Sequence, residues 1–164
     1  MEAVAVVYYK SPVGLIEIKG SKQGIASVSF QGADAEGTPA AGEIPACVAA
    51  CVAQLDEYFR GKRREFDLPL DLQGTDFQKK VWQELLKIGY GKTVSYLYIA
   101  EALGDCNATR AVGSANGQNK IAIIIPCHRV IGHDGKLTGY AGGLWRKKQL
   151  LELETPPRQT RLFQ

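Results

Sequence analysis

The spacing of apolar residues changes near Gly74, and this change limits the possible folds more than any other feature of the sequence. Over residues 3–30, apolar and polar residues alternate and are interrupted by Ser-Pro-Val-Gly and Ser-Lys-Gln-Gly. This pattern predicts three antiparallel strands joined by tight turns. After a Gly/Ala/Pro-rich loop, residues 44–61 have the three- and four-residue spacing of an amphipathic helix. One more short strand is predicted over residues 65–74.

The second part of the chain has the pattern of successive helices. Thr75 is a typical N-cap residue and precedes a predicted helix over residues 77–88, while Ser95 precedes a second helix, YLYIAEALG. A third helix, ATRAVGSANG, is expected to begin at Asn107 or Ala108. Two short helices joined by a turn of a few residues that contains glycine have the outline of a helix-turn-helix.

The remaining segments complete the predicted fold class. The run IAIII is predicted to form a short buried strand that ends at Pro126, residues 128–143 a Gly-rich loop, and LWRKKQLLELE a final helix. The expected class is α+β, with a small N-terminal antiparallel-sheet subdomain and its helix over residues 1–73. A mostly helical C-terminal subdomain over residues 74–164 would contain the helix-turn-helix and the loop that follows it.

Charge and cysteine content limit the classes of function. Residues 1–72 carry 7 Lys and Arg against 10 Asp and Glu, whereas residues 73–164 carry 13 against 7, so the second half has a net charge of +6. A basic half of this kind is expected either of a surface that faces a polyanion such as DNA or of an ordinary solvated face. The sequence shows neither an export signal nor an apolar run of membrane-spanning length, which favours a cytoplasmic protein. The four cysteines match neither a disulfide framework nor a metal site.

The sequence Pro126-Cys127-His128 is the strongest candidate for chemistry. A cysteine reacts as its thiolate, and a neighbouring base can remove the thiol proton. Adjacent side chains on a strand point to opposite faces, so His128 cannot lie over Cys127 in an extended chain. Either the chain turns at Pro126-Cys127 or a water molecule bridges the two groups. His128 would also need a carboxylate at its other ring nitrogen, and Glu154 on the last helix is a candidate.

Three segments together resemble the O6-alkylguanine-DNA alkyltransferase family: GTDFQKKVWQELLKIGYGKTVSY, RAVGSANGQN and IPCHRVIGHDGKLTGYAGGLWRKKQLLELE. The resemblance is strong over residues 74–154 and general before them. It implies repair of DNA by transfer of an alkyl group from O6 of guanine, or possibly O4 of thymine, to Cys127, which consumes the protein. It also implies that His128 takes the thiol proton through a water molecule, that Glu154 orients His128, and that Asn119 connects the helix-turn-helix to the active-site turn.

The resemblance assigns further residues to DNA and to the alkylated base. Arg110 would enter the base stack in place of the extruded nucleotide, and Tyr96 would crowd a phosphate and contact the flipped base. The remaining assignments are small residues of the third helix that allow close approach to DNA (Ala108, Ala111 and Gly113) and residues of the substrate pocket (Val130, Tyr140 and Ala141). For Arg129, a structural ion pair is favoured over a contact with DNA.

The resemblance implies neither a metal nor an organic cofactor, and it gives double-stranded DNA containing O6-alkylguanine as the partner. A monomer that can cluster on DNA, with no membrane association, is expected. The chain departs from the family's usual residues at Gly89, Lys120 and Ala141. Alternative hypotheses are an alkyltransferase-like protein that binds lesions without transfer, a cysteine hydrolase, and a sequence-reading regulator. The first typically has tryptophan at the position of Cys127.

Overall fold

The computed structural model describes residues 4–32, 36–37, 42–132, 134–135 and 137–155. The N-terminal part contains three strands and one helix: β1 (Ala5–Ser11), β2 (Gly14–Ser21), β3 (Gly24–Phe30) and α1 (Ala46–Phe59). The strands pair antiparallel in the order β1-β2-β3, with a register shift between Lys19 and Gly20. The predicted meander and its two tight turns are therefore confirmed.

One face of α1 covers this sheet. Its fully buried residues recur at three- and four-residue intervals (Val48, Cys51, Leu55 and Tyr58). The buried residues of the sheet include Ile16, Ile18 and Val28. Because successive strand residues point to opposite faces while helix residues repeat every three or four positions, the two patterns meet at one apolar layer.

The C-terminal part consists mainly of helices: α2 (Asp76–Leu85), α3 (Tyr96–Ala102), α4 (Thr109–Gly117) and α5 (Leu144–Glu154). Thr75 begins α2 with a capping box, in which Gln78 N–H donates to the Thr75 hydroxyl and Thr75 N–H donates to the Gln78 side chain. Ser95 caps α3 by accepting a hydrogen bond from Tyr98 N–H. A single 3-10 turn over Cys106–Ala108 precedes α4, so this helix begins slightly later than predicted.

Two predicted strands are wrong. Residues 65–74 form only one bridge, between Leu70 and Ile25. Pro69 accepts a hydrogen bond from Ile25 N–H but has no N–H of its own, and a proline interrupts the ladder that a strand needs. A short parallel pair that the sequence did not indicate, β4 (Val94–Ser95) with β5 (Val130–Ile131), lies elsewhere in the C-terminal part.

The run IAIII is a turn rather than a strand. Only Ile121 makes a bridge, to Val28 of β3. Ile123 has a φ of 71°, and Ile124 N–H donates to Ala122 O at 2.8 Å, which closes a γ-turn. A β-branched residue rarely adopts this backbone, so the surrounding contacts must hold it there.

Strand β3 is hydrogen-bonded to the segment that contains this turn. Val28 N–H donates to Lys120 O, and Ala122 N–H donates to Val28 O, at 2.9 and 3.0 Å. Buried apolar residues of the sheet and of α1 to α5 form one cluster among the described residues. The expected α+β class is confirmed. None of the described helices has the length and apolar character needed to cross a membrane.

Candidate active site

The chain turns sharply at Pro126, which is one of the two alternatives that the sequence left open for Cys127 and His128. Pro126 has φ −81° and ψ 64°, and Cys127 N–H donates to Ile125 O at 2.7 Å. These values describe an inverse γ-turn. Arg129 N–H then donates to Pro126 O, and residues Cys127–Arg129 form a 3-10 turn. The opposite-face geometry of a strand therefore does not apply to the Cys-His pair.

His128 is held by Glu154 of α5. The two side chains are buried, and His128 Nε2 lies 2.7 Å from Glu154 Oε2. Burial lowers the pKa of His128 more than the nearby carboxylate raises it, so the ring is neutral near pH 7. A neutral ring beside an ionised carboxylate carries its hydrogen on Nε2 and leaves a lone pair on Nδ1. Nδ1 has no hydrogen-bond partner among the described residues.

Four further hydrogen bonds to Glu154 keep it ionised and fixed. Arg129 donates from Nε to Oε1 and from Nη2 to Oε2, at 2.8 and 2.9 Å, and Tyr58 of α1 donates to Oε2 at 2.6 Å. Gly91 N–H lies 3.4 Å from Oε1. Burial raises the pKa of the Glu154 carboxyl, but the hydrogen bonds from His128 and Arg129 outweigh it and lower the pKa to about 2.

Arg129 has a structural position. Besides Glu154, it donates from Nη1 to Ile88 O at 2.6 Å, and its guanidinium lies 5.8 Å from the centre of the Tyr90 ring. The side chain is 7% exposed. This arrangement matches the ion pair that the sequence favoured over a contact with DNA.

The Cys127 thiol is buried and protonated at rest. Burial raises its pKa, and the side chains of Asn119, Lys147 and Tyr140 oppose this with smaller effects. Lys147 is itself fully buried, donates to Thr138 O at 3.0 Å, and has a pKa that burial lowers to about 8. The thiol therefore needs a proton acceptor at the moment of reaction rather than standing as a free thiolate.

Asn119 ties the end of α4 to the turn before Cys127. Its Nδ2 donates to Ile125 O at 2.8 Å, and its Oδ1 accepts from Ile121 N–H at 3.0 Å. In a strand, the Ile125 carbonyl and the Ile121 N–H would be hydrogen-bonded to a neighbouring strand; here the Asn119 side chain takes that place. The position agrees with the connecting role that the resemblance implied.

A cavity of about 130 Å³ opens beside Cys127. Its lining comes from β3, from the end of α4 and the segment after it, and from the loop before α5 (Val28, Ser29, Phe30, Asn116, Gly117, Asn119, Lys120, Ala122, Cys127, Gly139, Tyr140, Ala141 and Gly142). Tyr140 and Ala141 thus lie where the pocket was expected. The centres of the Phe30 and Tyr140 rings are 6.1 Å apart.

Two predicted pocket residues do not line this cavity. Val130 is fully buried in β5, where it pairs with Val94. Tyr96 begins α3, and its hydroxyl lies 2.6 Å from that of Thr138 in the loop. The Tyr96 ring also faces Gly113 of α4, since a Cβ placed on that glycine would be 3.8 Å from Tyr96 Cδ1.

The residues assigned to DNA lie together at the start of α4. Arg110 and Ala111 are exposed, whereas Ala108 and Gly113 are half-buried. Tyr96 lies at the start of α3, so the assigned residues come from both helices of the predicted helix-turn-helix. The partly exposed Ala108 and Gly113 leave no long side chain between the backbone and a bound ligand.

Several residues of the site were not singled out from the sequence. Tyr58 and Phe30 belong to the N-terminal part, and Asn116 and Lys147 lie on helix faces with no local motif. Arg146 of α5 donates to Val13 O and Gln31 O, at 2.8 and 3.0 Å, and stacks 4.9 Å over the Phe30 ring. No local motif indicated that Arg146 and Lys147 of the final helix would be buried, and their partners could not be predicted from the sequence.

No group of three or more His, Cys, Asp or Glu side chains in the described ranges could hold a metal ion. Zinc chemistry of the kind found in cysteine and histidine sites needs three or four such ligands.

Comparison with known proteins gives two family matches. Residues 5–72 match the ribonuclease-like domain of 6-O-methylguanine DNA methyltransferase, and residues 76–156 match its DNA binding domain. The chain is 49% identical over 145 residues to the methylated-DNA--protein-cysteine methyltransferase of Mycolicibacterium paratuberculosis, covering 88% of each protein. It is 49% identical over 153 residues to that of Methanosarcina barkeri, covering 90% of this chain and 97% of the relative.

Solved structures give the same match. The O6-methylguanine methyltransferase of Mycobacterium tuberculosis has a TM-score of 0.82 at 46% identity, with 99% of this chain and 100% of that chain covered. A structure of the M. tuberculosis protein in complex with DNA has a TM-score of 0.80 at 47% identity, covering 96% and 98% of the two chains.

Proposed function

The chain belongs to the 6-O-methylguanine DNA methyltransferase family, and from this premise we propose that it repairs DNA by moving an alkyl group from O6 of guanine to its own Cys127. The observation that carries the proposal is the arrangement at the cavity. The buried thiol of Cys127 is followed in the chain by a neutral His128. The Nε2 atom of His128 is hydrogen-bonded to the ionised carboxylate of Glu154. This is the arrangement of a nucleophile, its base and the group that orients the base.

The proposed reaction moves one proton and one alkyl group. His128 Nδ1 accepts the Cys127 proton through a water molecule, and the sulfur attacks the alkyl carbon in line with its bond to O6. A sulfur–carbon bond forms while the carbon–oxygen bond breaks, and its electron pair stays on guanine, which takes up a proton from solvent while His128 returns its proton to solvent. The products are unmodified guanine and an S-alkylcysteine. Since a thioether has no easy route back to a thiol, each molecule acts once.

Glu154 stabilises the charge that this step creates. When His128 accepts the proton it becomes a cation, and a carboxylate 2.7 Å away with a pKa of about 2 remains negative throughout. Fixed charges in a buried site act where water cannot screen them. The geometry also keeps Nδ1 free, because Nε2 is engaged by the carboxylate.

The DNA substrate reaches the thiol only if the damaged nucleotide leaves the helix, since O6 lies within the stacked duplex. We assign this step to α4 and the start of α3. Arg110 is exposed and long enough to fill the space that the nucleotide vacates, and Tyr96 is partly exposed at the start of α3. Ala108, Ala111 and Gly113 allow α4 to approach the phosphate backbone closely. The basic second half of the chain supplies affinity that does not depend on sequence.

The cavity supports alkyl groups larger than methyl. A cavity of about 150 Å³ in an apolar protein core binds benzene, and the cavity beside Cys127 measures about 130 Å³. Small residues form part of its wall, among them Ala122, Gly139 and Ala141. We therefore propose O6-benzylguanine as a substrate whose benzyl group would occupy this cavity, since the volume suits one six-membered ring and not the base as well. We also propose that residues 1–73 and 74–164 form two subdomains that share this site.

Intact mass spectrometry tests the proposal. The protein is mixed with a duplex that contains O6-methylguanine, alongside Cys127→Ser and, as a matched control, Cys106→Ser at an exposed cysteine. One added methyl group per molecule, mapped to Cys127, lost in Cys127→Ser and retained in Cys106→Ser, is expected. Tight binding to the lesion without a change in mass would instead identify a lesion-binding protein, and continued turnover would identify a hydrolase.

A further inference from the structure

Tyr58 of α1 donates a hydrogen bond to the carboxylate that holds His128, and the proposed reaction gives this hydroxyl no role. The side chain is fully buried, and its hydroxyl lies 2.6 Å from Glu154 Oε2. An ionised carboxylate can only accept hydrogen bonds, so the hydroxyl must be the donor. Burial raises the pKa of Tyr58, so the hydroxyl keeps its proton at neutral pH.

One oxygen of Glu154 is shared by three donors. Oε2 accepts from the Tyr58 hydroxyl at 2.6 Å, from His128 Nε2 at 2.7 Å and from Arg129 Nη2 at 2.9 Å. The other oxygen, Oε1, accepts from Arg129 Nε and lies 3.4 Å from Gly91 N–H. A carboxylate oxygen has two lone pairs, so the three donors must share the negative charge of Oε2. Each donor therefore weakens the hydrogen bonds of the other two.

The Tyr58 hydroxyl is not needed to fill the core or to satisfy the carboxylate. The ring centres of Phe59, Phe66 and Tyr90 lie 5.2, 5.5 and 6.2 Å from that of Tyr58. Phenylalanine at position 58 would keep the ring and these contacts. It would also leave Oε2 with two donors for its two lone pairs. The effect of the hydroxyl is therefore expected in the chemistry of the site.

We propose that Tyr58 is a positioning residue of the alkyl-transfer site, which shares Glu154 Oε2 with His128 and thereby limits the strength of His128 as a base. This inference rests on the proposed function. A carboxylate with one donor fewer would stabilise a positive charge on His128 more strongly. The ring would then hold a proton on Nδ1 up to a higher pH, and a protonated ring cannot take the proton of Cys127. Tyr58 thus keeps His128 neutral and able to act near pH 7.

Replacing Tyr58 with phenylalanine removes no charge from the site. Burial lowers the pKa of His128, Glu154 raises it, and the positive charges of Arg129 and Lys147 lower it. The ionisable groups around His128 and Glu154 come from the turn after Pro126, from the segment before α3, from the loop before α5 and from α5 itself (Cys127, Arg129, Tyr90, Tyr140 and Lys147). All of them remain in Tyr58→Phe, so a change in the titration of His128 would report the lost hydrogen bond.

The test compares the wild type with Tyr58→Phe in the full chain. The matched control is Tyr9→Phe, which removes a hydroxyl that donates at 3.0 Å to a different carboxylate, that of Asp56. NMR follows the proton on His128 Nε2, whose resonance moves downfield as its hydrogen bond strengthens, and the titration of the His128 ring. The chain has two histidines, and His133→Gln assigns their signals.

The rate of Cys127 benzylation by free O6-benzylguanine is measured against pH in the same proteins. In Tyr58→Phe the Nε2 proton is expected to move downfield. The midpoints of the His128 titration and of the rise in rate are expected at a pH higher by about 0.5 or more, with no loss of rate above the midpoint. Tyr9→Phe should match the wild type in all three measurements.

Unchanged midpoints, or midpoints at lower pH, overturn the inference even if Tyr58→Phe reacts more slowly at every pH, because Tyr58 would then only support packing. If Tyr58→Phe does not fold, 3-fluorotyrosine in place of Tyr58 decides. Fluorine makes the hydroxyl a stronger donor with nearly the same shape, so both midpoints should move to lower pH, and equal midpoints overturn the inference.

The NMR measurement separates this inference from the function on which it rests, because it needs no alkyl transfer. A wild type that takes up no alkyl group from the free base or from an O6-methylguanine duplex would overturn the proposed function. The NMR result would still decide whether Tyr58 weakens the hydrogen bond between Glu154 and His128.

Discussion

Replacing Glu154 with glutamine is expected to destabilise the protein strongly, because this buried carboxylate joins three parts of the structure. Glu154 lies on α5. Its carboxylate accepts hydrogen bonds from Tyr58 of α1 and from His128 and Arg129 of the turn that follows Pro126. Glutamine has nearly the same shape but no charge, and its amide nitrogen would face donors instead of accepting from them. The variant thus leaves a buried guanidinium without its counter-ion.

The size of the effect follows from the pKa of Glu154. It is lowered from 4.5 to about 2 in the folded protein, where Glu154 is 5% exposed. A difference of this size corresponds to about 3 kcal/mol of folding free energy at neutral pH. Removing one partner of a buried ion pair typically costs 3–5 kcal/mol, an independent figure of the same order. Glu154→Gln should therefore lower the free energy of unfolding by about 3 to 5 kcal/mol at pH 7.

The pH dependence gives the prediction its sign. A carboxyl whose pKa is lowered on folding stabilises the protein fully above the unfolded value of 4.5, and this stabilisation is lost as the pH falls towards 2. The difference in unfolding free energy between wild type and Glu154→Gln should be constant above about pH 5.5. At pH 3 it should be smaller by about 2 kcal/mol.

Urea unfolding of both proteins at pH 7, 5.5, 4 and 3 measures this difference. The matched control is Glu84→Gln, where an exposed lysine is the partner and the pair should contribute less than about 1 kcal/mol. A difference between wild type and Glu154→Gln that stays below about 1 kcal/mol at pH 7 would refute the reasoning. So would a large difference that does not shrink at low pH, since it would then come from packing rather than charge.

Three further changes test the site. Arg110→Ala should slow repair of an O6-methylguanine duplex at least tenfold more than reaction with free O6-benzylguanine, because only the duplex requires extrusion of a nucleotide. Second-order rate constants measure both reactions. Equal slowing of the two would show that Arg110 does not act in extrusion. Lys147→Met should raise the pKa of the active thiol, because a buried positive charge near it is lost, and thiol-alkylation rates against pH should show the shift. The exposed neighbour variant Lys148→Met should leave that profile unchanged, and an identical shift in both would contradict the assignment. Gly142→Ala would bring a methyl group to 2.6 Å from Phe30 Cδ2, so the Phe30 ring in the cavity wall must shift, and benzyl transfer should fall more than methyl transfer. Equal losses for the two alkyl groups would show that this wall does not limit their size.

Local features of the fold could be predicted because their causes are local. The strand alternation before residue 31, the Thr75 and Ser95 caps and the bounds of α5 each depend on residues within a few positions of one another. Cys127, His128 and Glu154 could be brought together because a histidine that acts as a base is commonly oriented by a third polar group, and a carboxylate is one such group. The resemblance to a family added residues of α4 that the bare pattern would not have separated from an ordinary helix.

The errors have a common physical cause. IAIII has the composition of a buried strand, but Asn119 binds the backbone of Ile121 and Ile125 and stabilises a turn instead. The segment before Gly74 alternates like a strand, yet Pro69 cannot extend a ladder. In each case a single side chain decides which backbone hydrogen bonds are available. Strand propensity averaged over several residues does not show the effect of one such side chain.

Long-range partners were beyond reach for a different reason. Tyr58 and Glu154 are separated by 96 positions, and Arg146 and Val13 by 133. Burial of Tyr58 is implied by its helical face, but which acceptor meets its hydroxyl depends on how α1 and α5 pack. That packing angle cannot be deduced from local patterns in a single sequence.

The hydrogen bond from Tyr58 to Glu154 also determines when during synthesis the thiol acquires its chemistry. Cys127 is synthesised before α5, and contacts of such long sequence separation close late in folding. Until α5 docks between α1 and the active-site turn, His128 has no fixed tautomer and Cys127 is an ordinary cysteine. A nascent or misfolded chain therefore carries the sequence of the active site without its reactivity, and competence for repair is a property of the completed tertiary structure alone.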